Sequence, residues 1–298
     1  MLSVGRILEG AFGLLRERYV AVAVWTGIYL AGNIALMLSF GSMFGAAMNP
    51  AVATDPSAVI GAMIPVYLIS FVMGLVGVIL YAAAMRAVLR PDAGGLAYLR
   101  LGMDELRLLG LVILFSIVGF VLMVGFMILL GLLGVGAAMG SQSGGGTVIV
   151  MIVGMIALFA VMLYFIVRFS LAFPLTLHRG RITLGEAWRL SRGRFWTLFG
   201  AAFIISLLMF VLNMAVSLVT MGSYMFDMMS AAGNPEAAAR AMESQTQSVG
   251  QLGPMMILSS LGGAIVAGLW VALSGGSIAT AAKLLLDDEM DDAEDVFG

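Results

Sequence analysis

A chain of 298 residues with 61% hydrophobic and 11% charged side chains and a mean hydropathy of +1.07 is far too apolar for a soluble domain, in which about 25% of residues carry charge. The formal net charge is −2, nucleic acid is not an expected partner, and the absence of cysteine excludes disulfides, thiolate catalysis and thiolate metal sites. The class expected is an all-α integral membrane protein. Fourteen of the fifteen basic residues are Arg and only Lys283 is Lys, which with the Ala and Gly content fits a bacterial gene.

In chain order, Ser3 to Arg18 reads as an amphipathic segment, with Val4, Ile7, Leu8, Ala11 and Leu15 opposite Arg6, Glu9 and Arg16. The apolar run from Tyr19 to about Phe44 is far longer than the ~7 to 15 residues of a cleavable signal core, so it is expected to be a first span. Asp55-Pro56 offers an N-cap and a first-turn proline for a second span to about Met85, with a kink expected at Pro65. Leu96 to Leu109 reads as a second amphipathic helix, with Leu99, Met103 and Leu106 opposite Arg100, Asp104 and Arg107. It leads into a third span over roughly Leu108 to Met139. Ser141 to Gly146 is a turn, and a fourth span runs from Thr147 to about Phe173, stopping at Pro174.

A third amphipathic helix is expected at Thr183, where Thr183 and Glu186 have the spacing of a capping box. Leu184, Ala187, Trp188 and Leu190 fall opposite Glu186, Arg189 and Arg192, and Gly193 can end the helix. A fifth span from Phe195 to about Tyr224 follows, with Trp196 where an indole favours the headgroup level. Asn234-Pro235-Glu236 marks a short helix in the loop of residues 223–253, either a contact site for an envelope partner or a solvated connector. A sixth span covers Pro254 to about Leu285, and residues 287–298 form an acidic tail expected to be disordered, its sharper role being a soft clamp on the arginine-bearing helices.

The N-terminal residues Ala11, Phe12, Leu14, Arg16, Arg18 and Tyr19 align without gaps with Ala187, Trp188, Leu190, Arg192, Arg194 and Phe195. Six transmembrane helices in three repeats (about 1–90, 91–178 and 179–286), each an amphipathic helix plus two spans, are the expected plan within a polytopic domain of residues 1–286. Every basic residue except Arg240 falls on one side, which the positive-inside rule makes cytoplasmic, together with both termini. The repeats would then be parallel rather than inverted. The place expected is a bacterial inner membrane.

The stretch RFSLAFPLTLHRG from Arg168 to Gly180, followed by TLGEAWRLSRGRFWTLFG, resembles the signature region of a bacterial membrane family. That family includes the membrane domain attached to some glycerophosphodiester phosphodiesterases and related stand-alone inner-membrane proteins. The resemblance implies a membrane module associated with lipids or the envelope and carries over no catalytic residue.

The residues themselves point the same way. His178 is the single histidine and the carboxylates are scattered as caps and pairs, so neither enzyme nor metal site nor cofactor is expected, and no span holds the central Asp, Glu, His or Lys that an ion-coupled carrier keeps. Asn33 and Asn213 are the intramembrane polar residues, read as interhelical hydrogen-bonding groups or as part of a polar path. Glycines 262, 263, 268, 275 and 276 suit close helix packing. Arg86 and Arg90 after the second span, Arg168 inside the fourth and Lys283 after the sixth are expected to converge with Arg189, Arg192 and Arg194 into a basic pocket for anionic lipid headgroups. Two functions stay open: a module that organises anionic lipid or an envelope partner at the cytoplasmic leaflet, and a transporter or flippase-like channel for an amphiphile.

Overall fold

A computed structural model describes residues 2–48, 55–93, 95–140, 145–231, 234, 236 and 254–297. The chain is an all-α membrane protein: six of its helices are long and apolar enough to cross a bilayer, and the described residues contain no strand. In order, α1 is Val4–Glu17, α2 Tyr19–Met48, α3 Pro56–Leu89, α4 Met103–Gly140, α5 Gly145–Phe169, α6 Ala172–Arg179, α7 Leu184–Leu190, α8 Phe195–Ser230 and α9 Pro254–Phe297. The spanning helices are α2, α3, α4, α5, α8 and α9. At about 1.5 Å per residue each exceeds the ~30 Å hydrocarbon thickness.

The second span starts where expected. Asp55 caps α3, its carboxylate accepting from Ser57 N at 2.9 Å and from Ser57 Oγ at 2.7 Å, and Pro56 stands in the first turn. Pro65 lies inside α3, which runs unbroken past it. The fourth apolar span runs over Val148–Arg179 and does not stop at Pro174; its helix breaks instead after Phe169, where α5 ends, and Pro174 sits within the first turn of α6, where its missing N–H leaves no bond unmade. The turn at residues 141–144 and most of the loop at 223–253 lie outside the described residues.

The chain falls into two compact units. The N-terminal unit holds Gly5–Arg100 and Ala201–Ser277; the central unit holds Met1–Val4, Leu101–Gly200 and Ile278–Gly298.

The N-terminal unit is built on small residues and close approach. Leu14, Trp25, Leu80, Ala83, Ala84, Val271 and Ala272 form its main buried cluster, and Ala11, Ile205, Met209 and Leu273 form a second. A methyl group added at Gly268 would stand 3.2 Å from the Cα of Thr26, and one at Gly275 would stand 2.9 Å from the Cβ of Ala84. Both positions require glycine for helix contact, as expected from the sequence. Asn33 Nδ2 donates to the Ser260 carbonyl at 3.4 Å, a long interhelical bond. Asn213 is exposed, with no hydrogen bond to another described residue.

The amphipathic helix expected over Leu96 to Leu109 does not form as one piece. A single 3-10 turn at Leu96–Tyr98 is followed by non-helical Leu99–Leu101, and α4 starts only at Met103. The backbone is left-handed at Ala97 (φ 53°) and Tyr98 (φ 60°), and the carbonyls a helix would use are taken: Trp25 Nε1 donates to Ala97 O at 3.0 Å and Arg86 Nη1 to Tyr98 O at 2.6 Å. Glu105 then starts α4 by accepting from Gly102 N at 2.9 Å. An amphipathic helix followed by a span is therefore present at α1–α2 and α7–α8 but absent from the middle position.

The tail also departs from expectation. Helix α9 continues through the acidic run to Phe297. Extending a long preformed helix carries no nucleation cost, and Asp288 and Glu289 find arginine partners.

Two measurements check these assignments. Gly268→Leu forces bulk against the Thr26 backbone and should destabilise the detergent-solubilised protein by about 1 to 3 kcal/mol, whereas Gly27→Ala, whose new methyl meets open space, should leave the melting temperature unchanged. At Asp55 the Ser57 hydroxyl and amide hold the carboxyl below its usual range, so the cap is complete above that range and is lost as pH falls through the lowered value. Amide exchange at the first turn of α3 should accelerate only in acid below the ordinary carboxylate range, and in Asp55→Ala it should be fast at all pH.

Candidate functional site: an enclosed arginine on an aromatic platform

The central unit brings α4, α5, α6 and α7 together around aromatic side chains. Phe115 of α4 sits 5.6 Å from Phe169 and 5.7 Å from Phe173, measured between ring centroids. Trp188 of α7 lies 5.3 Å from Phe169, 6.4 Å from Phe165 and 6.2 Å from Tyr164, and Tyr164 lies 5.5 Å from Phe195. Positions 164 and 168, and 165 and 169, are one helical turn apart, so α5 presents Tyr164, Phe165, Arg168 and Phe169 side by side to α7.

Helix α7 is held in place by its two ends. Gly180 caps α6 with a left-handed backbone (φ 64°). Thr183, expected to form a capping box with Glu186, instead places its hydroxyl 3.4 Å from that of Thr176, while Glu186 Oε1 accepts from Arg179 Nε at 3.1 Å and Nη2 at 2.9 Å. The expected box is thus replaced by a bond to the preceding helix, because the tight turn puts Arg179 within reach. Past Leu190 the chain turns through Gly193 (φ 76°), a conformation a side chain would strain. Ala187 and Leu190 face inward and Arg189 and Arg192 outward, as the amphipathic pattern requires.

Arg168 lies in the middle of this platform and is only 6% exposed. Its guanidinium carbon is 4.1 Å from the centroid of the Trp188 ring and 6.0 Å from that of Tyr164. Its Nε is sealed from solvent without a hydrogen-bond partner, and no carboxylate among the described residues pairs with the group. Cation–π contact supplies about 2 kcal/mol when desolvated, whereas removing a charge from water costs several. The aromatic faces therefore hold the cation without neutralising it.

The other expected residues separate into two groups. Arg86 and Arg90 belong to the N-terminal unit. Arg86 is 2% exposed and donates from Nη1 to the Tyr98 carbonyl, so it serves the loop fold; Arg90 is the C-cap of α3. Arg189, Arg192, Arg194 and Lys283 belong with Arg168 to the central unit. Arg189 Nη2 pairs with Glu289 Oε1 at 3.2 Å, Arg194 Nη2 with Asp288 Oδ2 at 3.8 Å, and Arg192 and Lys283 are exposed.

From its sequence position Trp188 reads only as part of an apolar face. The spacing of Tyr164 and Arg168 is visible as an i,i+4 pair, whereas the approach of Trp188 depends on the turns at Gly180 and Gly193, which no periodicity reports.

Replacing Trp188 with Ala removes the face beneath the guanidinium and should lower stability in detergent by about 2 to 4 kcal/mol. Trp196→Ala, at an indole 77% exposed in the first turn of α8, should change the melting temperature little.

Comparison of the chain with family models, with curated proteins and with solved structures finds no match.

Proposed function

We propose that this protein is a non-enzymatic module of a bacterial inner membrane that binds anionic lipid at the cytoplasmic leaflet, with Arg168 as the headgroup-binding residue. The observation that carries the reading is the enclosed guanidinium of Arg168, stacked on Trp188 and lacking a carboxylate among the described residues. A cation so placed needs an anion from outside the chain, and a lipid phosphate supplies one from the bilayer itself. Arg192 and Lys283, exposed in the same unit, add positive charge that favours an anionic leaflet. The placing of both termini in the cytoplasm rests on the one-sided arginine distribution. The resemblance of residues 168–200 to the signature region of a bacterial membrane family, one that includes the membrane domain attached to some glycerophosphodiester phosphodiesterases, implies the same association with lipid.

The reading has a test in which folding and binding separate. In lipid-free neutral detergent, Arg168→Met removes an unneutralised buried charge and should melt at the same temperature as the parent or higher. Added phosphatidylglycerol or cardiolipin should raise the melting temperature of the parent and leave that of Arg168→Met unchanged. By native mass spectrometry Arg168→Met should lose co-purifying anionic lipid while Arg6→Ala retains it; equal retention by the two variants removes the site. Movement of a labelled lipid across liposomes containing the protein would replace the static module with the transport reading.

A further inference from the structure

A second basic feature lies in the central unit and shares no residue with the Arg168 platform. An open cavity of about 490 Å³ is lined by Arg179, Arg181, Gly185, Glu186 and Arg189. We propose that this cavity binds a phosphomonoester, and that Glu289 of the acidic end of α9 competes with the ligand for it.

The three guanidiniums are matched to different degrees. Arg179 is fixed by the wall itself, giving both Nε and Nη2 to Glu186 Oε1. Arg189 is matched from outside the wall by Glu289 at 3.2 Å, a contact between two partly exposed side chains and hence weak and screened by salt. Arg181, exposed just past the left-handed Gly180, makes no hydrogen bond or ion pair with another described residue. The cavity thus holds one cation already neutralised, one paired with the tail and one unmatched.

That arrangement selects for charge. A phosphodiester, with one negative charge, is matched by Arg181 alone and has little to gain from displacing Glu289. A monoester near neutral pH carries a second charge and three terminal oxygens, enough to take the planar forks of Arg181 and Arg189 together. Gly185 contributes backbone without a side chain, and a methyl built there meets nothing, so the wall leaves room for the group. The neighbouring Asp288 stands 3.8 Å from Arg194, a second partly exposed ion pair between the acidic end of α9 and the chain that follows α7.

The phosphate can come from a lipid such as phosphatidic acid or from a soluble molecule, and two probes separate these sources. In one arm, full-length protein in neutral detergent is titrated with inorganic phosphate in a calorimeter. In the other, protein in phosphatidylcholine nanodiscs containing phosphatidic acid or phosphatidylglycerol is assayed for retained lipid by native mass spectrometry. Saturable phosphate binding assigns a soluble ligand; preferential retention of phosphatidic acid, not displaced by phosphate, assigns a lipid. In whichever arm binds, Arg181→Gln should weaken binding by about tenfold and Arg181→Lys by less, because the charge stays and the fork is lost. Glu289→Gln should strengthen binding by about two- to fivefold, the range set by one exposed ion pair.

No saturable binding in either arm overturns the proposal, as does binding indifferent to Arg181→Gln or to Glu289→Gln. None of these substitutions touches Trp188, Tyr164 or Arg168. Failure here with loss of lipid from Arg168→Met leaves the proposed function standing, and the reverse pattern leaves the cavity standing without it.

Discussion

A guanidinium removed from water needs a partner to replace it, and this chain meets that need in two ways. Arg86, nearly inaccessible, receives the carbonyl of Tyr98. Holding that carbonyl keeps residues 95–100 from joining α4 as one α-helix and folds the segment against α2 and α3, where Trp25 takes the carbonyl one residue earlier. The left-handed backbone at Ala97 and Tyr98 persists because these two side chains over-determine it. Arg168 receives aromatic faces instead of an acceptor. Both residues end a spanning helix at its basic end, yet the first has a hydrogen-bond acceptor within the fold, whereas the second has ring faces and an Nε without an acceptor.

The two units use different packing chemistry to suit these demands. In the N-terminal unit alanine and glycine let helix backbones meet, so contact energy comes from many short van der Waals approaches, in an environment where lipid tails remove most of the hydrophobic drive between helices. In the central unit α4 and α5 show mostly large aliphatic side chains outward, among them Ile113, Ile117, Val121, Ile149 and Ile156. Contact there is concentrated where Phe115, Phe169, Phe173 and Trp188 gather near the basic end of α5. Rigid rings at that level make a fixed surface on which α7 rests.

What sequence made legible was whatever a local rule controls. Six long apolar runs, the Asp55-Pro56 start of α3 and the glycines at 268 and 275 follow from length, capping and steric need, and all three stand in the structure. The failures came where distant groups outcompete a local pattern. Leu96 to Leu109 has helical periodicity, but Trp25 and Arg86 claim its carbonyls. Thr183 and Glu186 have capping-box spacing, but Thr176 and Arg179 lie closer to hand. The acidic tail has the composition of a disordered segment, but it extends a helix already formed and meets arginines. Arg168 was legible as an anomaly of charge within a span; its platform was not, because Trp188 reaches it through two turns whose geometry the sequence marks only with glycine.

The four tryptophans give the molecule a built-in optical readout. Trp25 is wholly enclosed and hydrogen-bonded, Trp196 stands open at the start of α8, and Trp270 is exposed on a spanning helix. Trp188 alone lies 4.1 Å beneath a guanidinium. A positive charge over an indole ring perturbs its excited state, so the emission of that one residue carries the position of the Arg168 side chain. A chain retaining only Trp188 would report, as a change in colour or intensity, any anion that draws the arginine off the ring, without a label and without removing the protein from its bilayer.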